Sequence, residues 1–216
     1  MADAGAVVSV VGPNGSGKST LLKALAGVLR PSAGRVLALG REVTGLAPED
    51  MARAGIGYVP QVDDVFGPLS VRENLEMGGY LLSRGEVAGR IESVLSVFPR
   101  LGTMLRRPAG RRSGGERKML AMGRVLMLRP AVFLLDEPTA NLAPAIARGL
   151  LEEHVRALAG HGAAVLIVEQ RARAVLAVSD RTYVMGGGEI TMTGTPAELS
   201  ASPDFVTSFL GGRRPA

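Results

Sequence analysis

Cysteine is absent from the 216 residues of this chain, which excludes a disulfide framework and any metal site built from thiolates. Aromatic residues make up only 4% of the chain and no long basic run occurs, so we expect no nucleic-acid partner. No uncharged apolar run approaches the roughly 20 residues needed to cross a bilayer. Residues 1–5 also lack the basic and apolar regions of a secretory signal. If the protein works at a membrane, other chains must hold it there.

The composition is that of a globular domain, because 46% of the residues are hydrophobic and 21% are charged. A chain of this length is sufficient for one domain with an insertion. The net charge is +5, and much of the excess lies in Arg106, Arg107, Arg111 and Arg112. A basic balance suits nucleic acid, anionic lipid, phosphate or a partner surface, so charge alone does not select among these ligands.

Several short apolar runs are rich in valine, isoleucine or leucine, which is typical of buried parallel strands. These runs are residues 6–11, 132–135 and 164–168. Each is followed by a loop and then a helical pattern, which predicts an α/β fold with a parallel sheet and ligands at the carboxyl ends of its strands. A hairpin is predicted at residues 181–185 and 189–193, and a short helix begins at Pro196.

The pattern changes between Asp63 and Arg112, where residues 71–82 and 87–98 are predicted helices with little strand signal between them. We interpret this stretch as a helical insertion in a single domain of residues 1–216. The predicted parts are a core of about residues 1–62 and 116–216 and a helical subdomain of about residues 63–115.

A phosphate-binding loop is predicted between the first strand and the next helix, since the chain there fits the full P-loop pattern. Its members are Gly12, Pro13, Asn14, Gly15, Ser16, Gly17, Lys18, Ser19 and Thr20. Glycines let successive backbone N–H groups point at phosphate oxygens, and the helix adds its positive dipole end. Lys18 should reach the β- and γ-phosphates, Ser19 should ligate Mg²⁺, and Thr20 should contact the α-phosphate. The motif predicts a nucleotide without saying which one.

Two acids, Asp136 and Glu137, follow the apolar run at residues 132–135. A buried strand delivers Asp136 to the carboxyl edge of the sheet, where it can hold Mg²⁺ through water. Glu137 is then placed to orient or deprotonate the attacking water. A strand that simply ends in solvated acids is the alternative, and the phosphate loop argues against it.

A second anion site is predicted at Ser113, Gly114, Gly115 and Glu116, which precede a helical pattern at residues 118–128. A serine and exposed backbone amides at a helix N-terminus attract negative charge. Taken alone, this segment is an ordinary helix cap. Its position about twenty residues before Asp136 gives it weight.

The order of these motifs resembles that of the ABC ATPase family, whose glutamine-loop element is matched by Tyr58-Val59-Pro60-Gln61. The resemblance implies a P-loop fold with a RecA-like parallel core and a helical insertion. It also implies a head-to-tail dimer, in which ATP on one phosphate loop is covered by the Ser-Gly-Gly segment of the other subunit. Gln61 would sense the γ-phosphate and Mg²⁺ and link the core to the insertion.

A closer resemblance is to the ATP-binding proteins of branched-chain amino acid importers, and it covers about residues 7–212. The residues that carry it include Met119 to Arg124, Asn141 to Pro144, Val168-Glu169-Gln170 and Val71 to Gly78. In that subfamily Gln170 takes the switch position, where a neutral amide can bond the γ-phosphate but carries no charge. The implied catalytic residues are Glu137, Gln170 and Lys18, and the implied metal ligands are Ser19, Gln61 and Asp136.

This subfamily implies an ATPase that uses ATP and Mg²⁺ to energise the uptake of branched-chain or related amino acids. Its expected partners are a second ABC ATPase subunit, identical or related, and membrane permease subunits. A solute-binding protein would act indirectly. The expected location is cytoplasmic, peripheral on the inner face of the cell membrane.

The chain departs from the family pattern at two places. Only eleven residues precede Gly12, and the first aromatic residue is Tyr58. The N-terminal antiparallel strands are therefore expected to be shortened and the adenine-stacking aromatic to be missing, through truncation, a misassigned start or a missing subdomain. Loss of a stacking partner should cost roughly 1–3 kcal/mol of binding free energy. Arg112 stands where the family usually has an apolar residue.

Two other functions remain open. The short N-terminus is compatible with a degenerate nucleotide-binding regulatory or interaction subunit with weak hydrolysis. A soluble, non-transport ABC ATPase is the other function. A tandem domain or a long coiled coil would support it, and this sequence contains neither. A GTPase would need an Asn-Lys-x-Asp segment, and a small-molecule kinase would not need the Ser-Gly-Gly segment.

Histidines and methionines outside these motifs are expected to have structural roles. His154 on a helix face and His161 in a loop are away from every motif, so we expect both on the surface. Met119, Met122 and Met127 are expected to pack in the core.

Overall fold

The computed structural model describes residues 2–62 and 64–209, in which β-branched and leucine-rich segments form strands separated by helices. The strands of this part of the chain are β1 (Val7–Val11), β2 (Leu37–Ala38), β3 (Arg41–Glu42), β4 (Ile56–Val59), β5 (Val132–Asp136), β6 (Ala164–Glu169), β7 (Arg181–Gly186) and β8 (Glu189–Gly194). The α-helices are α1 (Lys18–Leu25), α2 (Pro48–Arg53), α3 (Val71–Gly78), α4 (Arg84–Val97), α5 (Pro99–Gly102), α6 (Gly114–Leu126), α7 (Pro144–Gly149), α8 (Arg156–Gly160), α9 (Ala172–Leu176), α10 (Pro196–Ala201) and α11 (Pro203–Phe209). A 3₁₀ turn (Ala109–Arg111) precedes α6, and a π-helical segment (Leu150–Val155) joins α7 to α8.

The main sheet has the strand order β4-β5-β6-β1-β7-β8 within the described residues. The first five strands are parallel, and β8 returns antiparallel to β7. All five residues of β1 are buried, as expected for a strand covered on both faces. The predicted parallel sheet and the predicted hairpin are therefore present. The sequence did not identify β4, which is only four residues long and contains Gly57.

Two apolar clusters cover the opposite faces of this sheet, because side chains alternate along each strand. On β5, Phe133 and Leu135 face the larger cluster under α3, α4 and α6, whereas Leu134 faces the smaller cluster under α1 and α2. The larger cluster includes Met119, Met122 and Met127, so their predicted core role agrees with the structure. This packing fixes the carboxyl ends of β1, β5 and β6 at one edge.

The predicted helical insertion contains α3, α4 and α5. The helix predicted at residues 71–82 ends earlier, at Gly78, which lies so close to α6 that a Cβ there would overlap the carbonyl oxygen of Arg124. The next helix begins earlier than predicted because Ser83 and Glu86 form a capping box at its start. The division into a core and a helical subdomain stays a prediction.

Antiparallel pairing among the described residues before β4 is confined to β2 and β3, each two residues long. None of the described helices has the length and apolar content required to cross a membrane.

His154 is not the surface residue that we expected. Its ring packs against Phe98, with 5.0 Å between ring centroids, and burial lowers the pKa of its imidazole. The helical pattern placed His154 on a helix but gave no sign of an aromatic partner from the junction between α4 and α5. His161 is exposed, as expected.

Candidate functional site

The turn between β1 and α1 requires glycine at three positions. Gly15 and Gly17 have φ of 79° and 96°, in the left-handed region where other residues are strained. A Cβ at Gly12 would overlap the carbonyl oxygen of Met185 on β7. The backbone can therefore wrap tightly around a bound group, as predicted for a phosphate loop.

Two polar side chains of this loop, Ser16 and Lys18, are buried where a phosphate would lie. The Ser16 hydroxyl oxygen is buried and has no hydrogen-bond partner, a condition that costs about 1–3 kcal/mol in a folded protein. The Lys18 side chain is buried, and its Nζ donates to the carbonyl oxygens of Gly12 at 2.8 Å and Pro13 at 2.9 Å. An ammonium held over the loop beside an unpaired hydroxyl fits a phosphate group.

Two of the three predicted magnesium residues, Ser19 and Asp136, meet at the carboxyl end of β5. Ser19 Oγ donates to Asp136 Oδ1 at 2.9 Å, although the two residues are 117 positions apart. The Tyr58 hydroxyl donates to Asp136 Oδ2 at 3.3 Å. Burial, with a smaller contribution from Asp136, raises the pKa of Tyr58 and keeps its hydroxyl protonated as a donor. Tyr58 is therefore a positioning residue, and its place in the Tyr58-Val59-Pro60-Gln61 motif gave no sign of this role.

Glu137 and Gln61 form a second contact at the same edge. Gln61 Nε2 donates to Glu137 Oε2 at 2.8 Å. The Glu137 backbone has φ of 43°, and its N–H donates to the carbonyl oxygen of Val168 at 2.9 Å on β6. Such strain costs about 1–3 kcal/mol and persists where the surroundings hold it. Here β6 holds the backbone of Glu137 while its carboxylate contacts Gln61.

Glu169 is a further acid at this edge, and its place in the Val168-Glu169-Gln170 pattern indicated no separate role for it. Its Oε1 accepts hydrogen bonds from the Thr139 backbone N–H at 2.9 Å and from the Thr139 hydroxyl at 2.7 Å. Burial raises the pKa of Glu169, Glu137 raises it further, and the Thr139 bonds oppose this. The contact holds the turn that follows Glu137, and no spacing rule would have indicated it.

The raised pKa of Glu169 predicts a pH-dependent effect of Glu169→Gln on stability. The folded state favours the protonated carboxyl, so the wild type should lose stability as pH rises from the usual glutamate value of 4.5 through the raised pKa. The amide cannot ionise and should avoid this loss. Urea unfolding at acidic and neutral pH should therefore show an advantage for the variant that grows with pH. A constant difference would contradict the assignment, and the exposed Glu152 provides the control as Glu152→Gln.

A polar cleft of about 560 Å³ gathers most of the predicted residues. Its lining includes Asn14, Gly15, Gly17, Lys18, Ser19, Thr20, Gln61, Glu137, Glu169 and Gln170. No cluster of three or more histidine, aspartate or glutamate side chains in the described ranges could hold a metal by itself. Phosphate oxygens of a bound nucleotide are the usual further ligands of Mg²⁺ beside one or two protein groups.

The Ser-Gly-Gly segment does not line this cleft. Ser113 caps α6 by accepting the Glu116 N–H at 3.3 Å, and Glu116 accepts the Ser113 N–H at 3.0 Å. Arg100 also pairs with the Glu116 carboxylate at 3.0 Å. Within one chain, residues 113–116 are therefore a capped helix start, separate from the phosphate loop.

The two glycines of this segment pack closely against residues at and just before α7. A Cβ at Gly114 or Gly115 would come within 2.8 Å of Leu142 or 2.7 Å of Ile146, respectively. Arg112 lies directly before the cap, and its Nε is buried without a hydrogen-bond partner.

Comparison with known proteins gives a consistent result. The family model described as "ABC transporter" matches residues 2–140. The chain is 40% identical over 205 residues to a probable branched-chain amino acid transport ATP-binding protein LivF of Archaeoglobus fulgidus, covering 95% of this chain and 87% of the relative. It is 40% identical over 208 residues to the high-affinity branched-chain amino acid transport ATP-binding protein BraG of Pseudomonas aeruginosa, covering 96% and 89%. The crystal structure of the ADP conformation of an ATP-binding cassette of an ABC transporter superposes with a TM-score of 0.86 at 30% identity, covering 98% of this chain and 90% of that one.

Proposed function

This chain belongs to the ABC transporter family, and we propose that its hydrolysis of ATP drives an importer of branched-chain or related amino acids. The family, the fold class and the ATPase activity that the sequence predicted are confirmed by these relatives. The solute is inferred from the printed names of two relatives that are each 40% identical. The chain spans most of the length of both, which supports the inference.

The observation that carries the proposed chemistry is the meeting of two pairs at one edge of the sheet. Ser19 contacts Asp136, and Gln61 contacts Glu137. In the proposed roles, Lys18 binds the β- and γ-phosphates, and Glu137 orients and deprotonates the attacking water. The other proposed contacts to ATP are Gly12, Pro13, Asn14, Gly15, Ser16, Gly17, Ser19, Thr20, Gln61 and, through the γ-phosphate, Gln170.

Magnesium is proposed at Ser19, Gln61 and Asp136, with Gln61 also sensing the γ-phosphate. When bound, Mg²⁺ neutralises charge on the β- and γ-phosphate oxygens. Contacts within the protein already orient the Asp136 carboxylate for the metal. Ser19 and Tyr58 fix the two oxygens of Asp136, so the carboxylate does not have to reorganise when the substrate arrives.

A second ATPase subunit, identical or related, is proposed to complete each site. Residues 113–116 lie outside the cleft of their own chain, yet they present a serine and small residues at the start of α6. Placed over the triphosphate of a partner, they add the positive end of a helix dipole to the γ-phosphate. A head-to-tail dimer satisfies this requirement twice.

The proposed permease surface is a groove of about 320 Å³ beside the insertion. Its apolar rim includes Met77 and Tyr80, which are 51% and 55% exposed. The groove also contacts Pro60, next to Gln61. A permease seated there would respond to movement of the residue proposed to sense ATP. It would also hold the chain peripherally on the inner face of the membrane, with any solute-binding protein reached only through the permease.

Transport by the reconstituted complex tests the solute assignment. Liposomes that contain the chain and its permease subunits, supplied with the solute-binding protein, should take up leucine only when ATP and Mg²⁺ are present. Magnesium-dependent turnover by the chain would exclude a degenerate regulatory subunit. Turnover without uptake of any branched-chain amino acid would reject the solute, and absence of turnover would reject the ATPase role of this chain.

A further inference from the structure

A buried lysine of α6 holds the segment that contains Gln61. Lys118 Nζ donates to the Gln61 carbonyl oxygen at 2.7 Å and pairs with Asp64 Oδ2 at 2.7 Å. The side chains of Lys118 and Asp64 are only 9% and 11% exposed. This pair is therefore shielded from the solvent that weakens the surface ion pairs of the chain.

A second cation from the same helix contacts the same segment. Arg124 Nη1 donates to the Asp64 carbonyl oxygen at 2.6 Å, and its guanidinium carbon lies 4.4 Å from the centre of the Phe66 ring. The glutamine segment, defined as residues 61, 62 and 64–66, is thus attached to α6 through Gln61, Asp64 and Phe66. A shift of α6 must carry the segment with it or break these contacts.

The contacts of Lys118 lie between the cleft of its own chain and the start of α6. On one side, the Gln61 side chain contacts Glu137 in the cleft of its own chain. On the other side, Lys118 lies four residues after Gly114, the first residue of α6, which is about 6 Å along the helix axis. One lysine therefore connects the backbone beside the proposed base to the helix start that the partner subunit's nucleotide would meet.

We propose that Lys118 is a positioning residue that couples the two nucleotide sites of the dimer. The inference rests on the proposed head-to-tail assembly. When residues 113–116 engage the γ-phosphate on the partner, α6 moves, and Lys118 transmits the displacement to Gln61 and so to Glu137. Because Lys118 and Asp64 are a buried ion pair, separating them would leave an uncompensated charge. The two therefore move as a unit.

This role is distinct from holding the fold together. The packing of α6 in the core is already supplied by its buried apolar residues, such as Leu120 and Met122. Replacing a buried ion pair with apolar groups of similar volume is often neutral for stability. What the pair adds is a fixed distance and direction between α6 and Gln61.

Steady-state ATP turnover by the purified dimer tests the coupling. In Lys118→Met, kcat should fall by roughly tenfold to a hundredfold, the cost of small misplacements at an active site, while KM for ATP stays within about twofold. The Hill coefficient for ATP should exceed 1 in the wild type and fall to about 1 in the variant. Lys118→Arg, which keeps the charge, should recover most of both. Asp64→Asn should reproduce the loss from the other side, and the double variant Lys118→Met/Asp64→Leu, which leaves no unpaired buried charge, serves if the single variants fold poorly.

Arg156→Met is the matched control, since Arg156 pairs with Asp180 at 3.1 Å on an exposed surface away from the cleft. It should leave kcat and the Hill coefficient unchanged. The inference is overturned if the wild type shows no cooperativity. It is equally overturned if the folded Lys118 and Asp64 variants keep their kcat and Hill coefficient, or if only the unfolding midpoint falls. A wild-type chain without turnover would instead reject the proposed function itself.

Discussion

Glu137→Gln is expected to lower ATP turnover by roughly 10²- to 10⁴-fold, the range for loss of a general base, while ATP binding is retained. The carboxylate is the group proposed to orient and deprotonate water, and an amide cannot accept that proton. ATP contacts through the phosphate loop do not involve this side chain. The expected variant therefore binds nucleotide and remains in the closed, ATP-bound dimer.

The geometry makes this substitution a clean test. Glutamine has the same length as glutamate, and its carbonyl oxygen can still accept the 2.8 Å hydrogen bond from Gln61. The positive φ of residue 137 is a backbone strain that both residues bear alike. Phosphate release measures turnover, and equilibrium binding of a fluorescent ATP analogue measures affinity. Glu152→Gln removes an exposed carboxylate elsewhere and should keep full turnover. Turnover of Glu137→Gln within about twofold of the wild type would exclude the role.

The parts of the fold that could be predicted from the sequence are those specified by neighbouring residues. β1, β5 and β6 are largely apolar, interrupted by Ser9 in β1 and by a final acid in β5 and in β6, as expected for strands that are buried on both faces. The phosphate loop depends on local glycine conformations at Gly15 and Gly17. Because parallel strands share a carboxyl edge, the phosphate loop after β1 and Asp136 at the end of β5 were expected at the same edge of the sheet.

The remaining parts depend on contacts between distant residues. Tyr58 reaches Asp136 across 78 positions, Lys118 reaches Gln61 across 57, and Thr139 reaches Glu169 across 30. Periodicity describes which face of an element is apolar, and it contains no information about which polar side chains will meet. These contacts orient the site. Sequence patterns therefore predicted the residues that would touch ATP, but not the residues that hold them in position.

The Ser-Gly-Gly segment permits a prediction about assembly, because the helix-capping role of Ser113 can be tested separately from its proposed contact with the partner's phosphates. Ser113→Asp keeps an N-cap side chain that accepts the Glu116 N–H, since aspartate and serine are equally good caps. It also places a negative charge against the partner's phosphates. Turnover should fall by at least roughly tenfold, the effect of losing one donor and adding repulsion. Ser113→Asn, an uncharged cap, is the control and should retain most of the activity.

Mixing experiments then decide whether residues 113–116 act on their own chain or on the partner. In a head-to-tail dimer, a subunit that carries both Lys18→Ala and Ser113→Asp spoils both sites of a wild-type partner, since it offers a defective loop to one site and a defective cap to the other. After exchange with an equal amount of this double variant, the turnover of a fixed amount of wild type should drop to about half, because half of the wild-type subunits then sit in mixed dimers. If each chain completed its own site, the wild-type turnover would be undiminished.

Separating Lys18→Ala and Ser113→Asp on different subunits reverses the logic, because one site of every mixed dimer is then intact. An equal mixture of two inactive proteins should recover up to about a quarter of the wild-type rate. That recovery cannot arise from two chains that act alone.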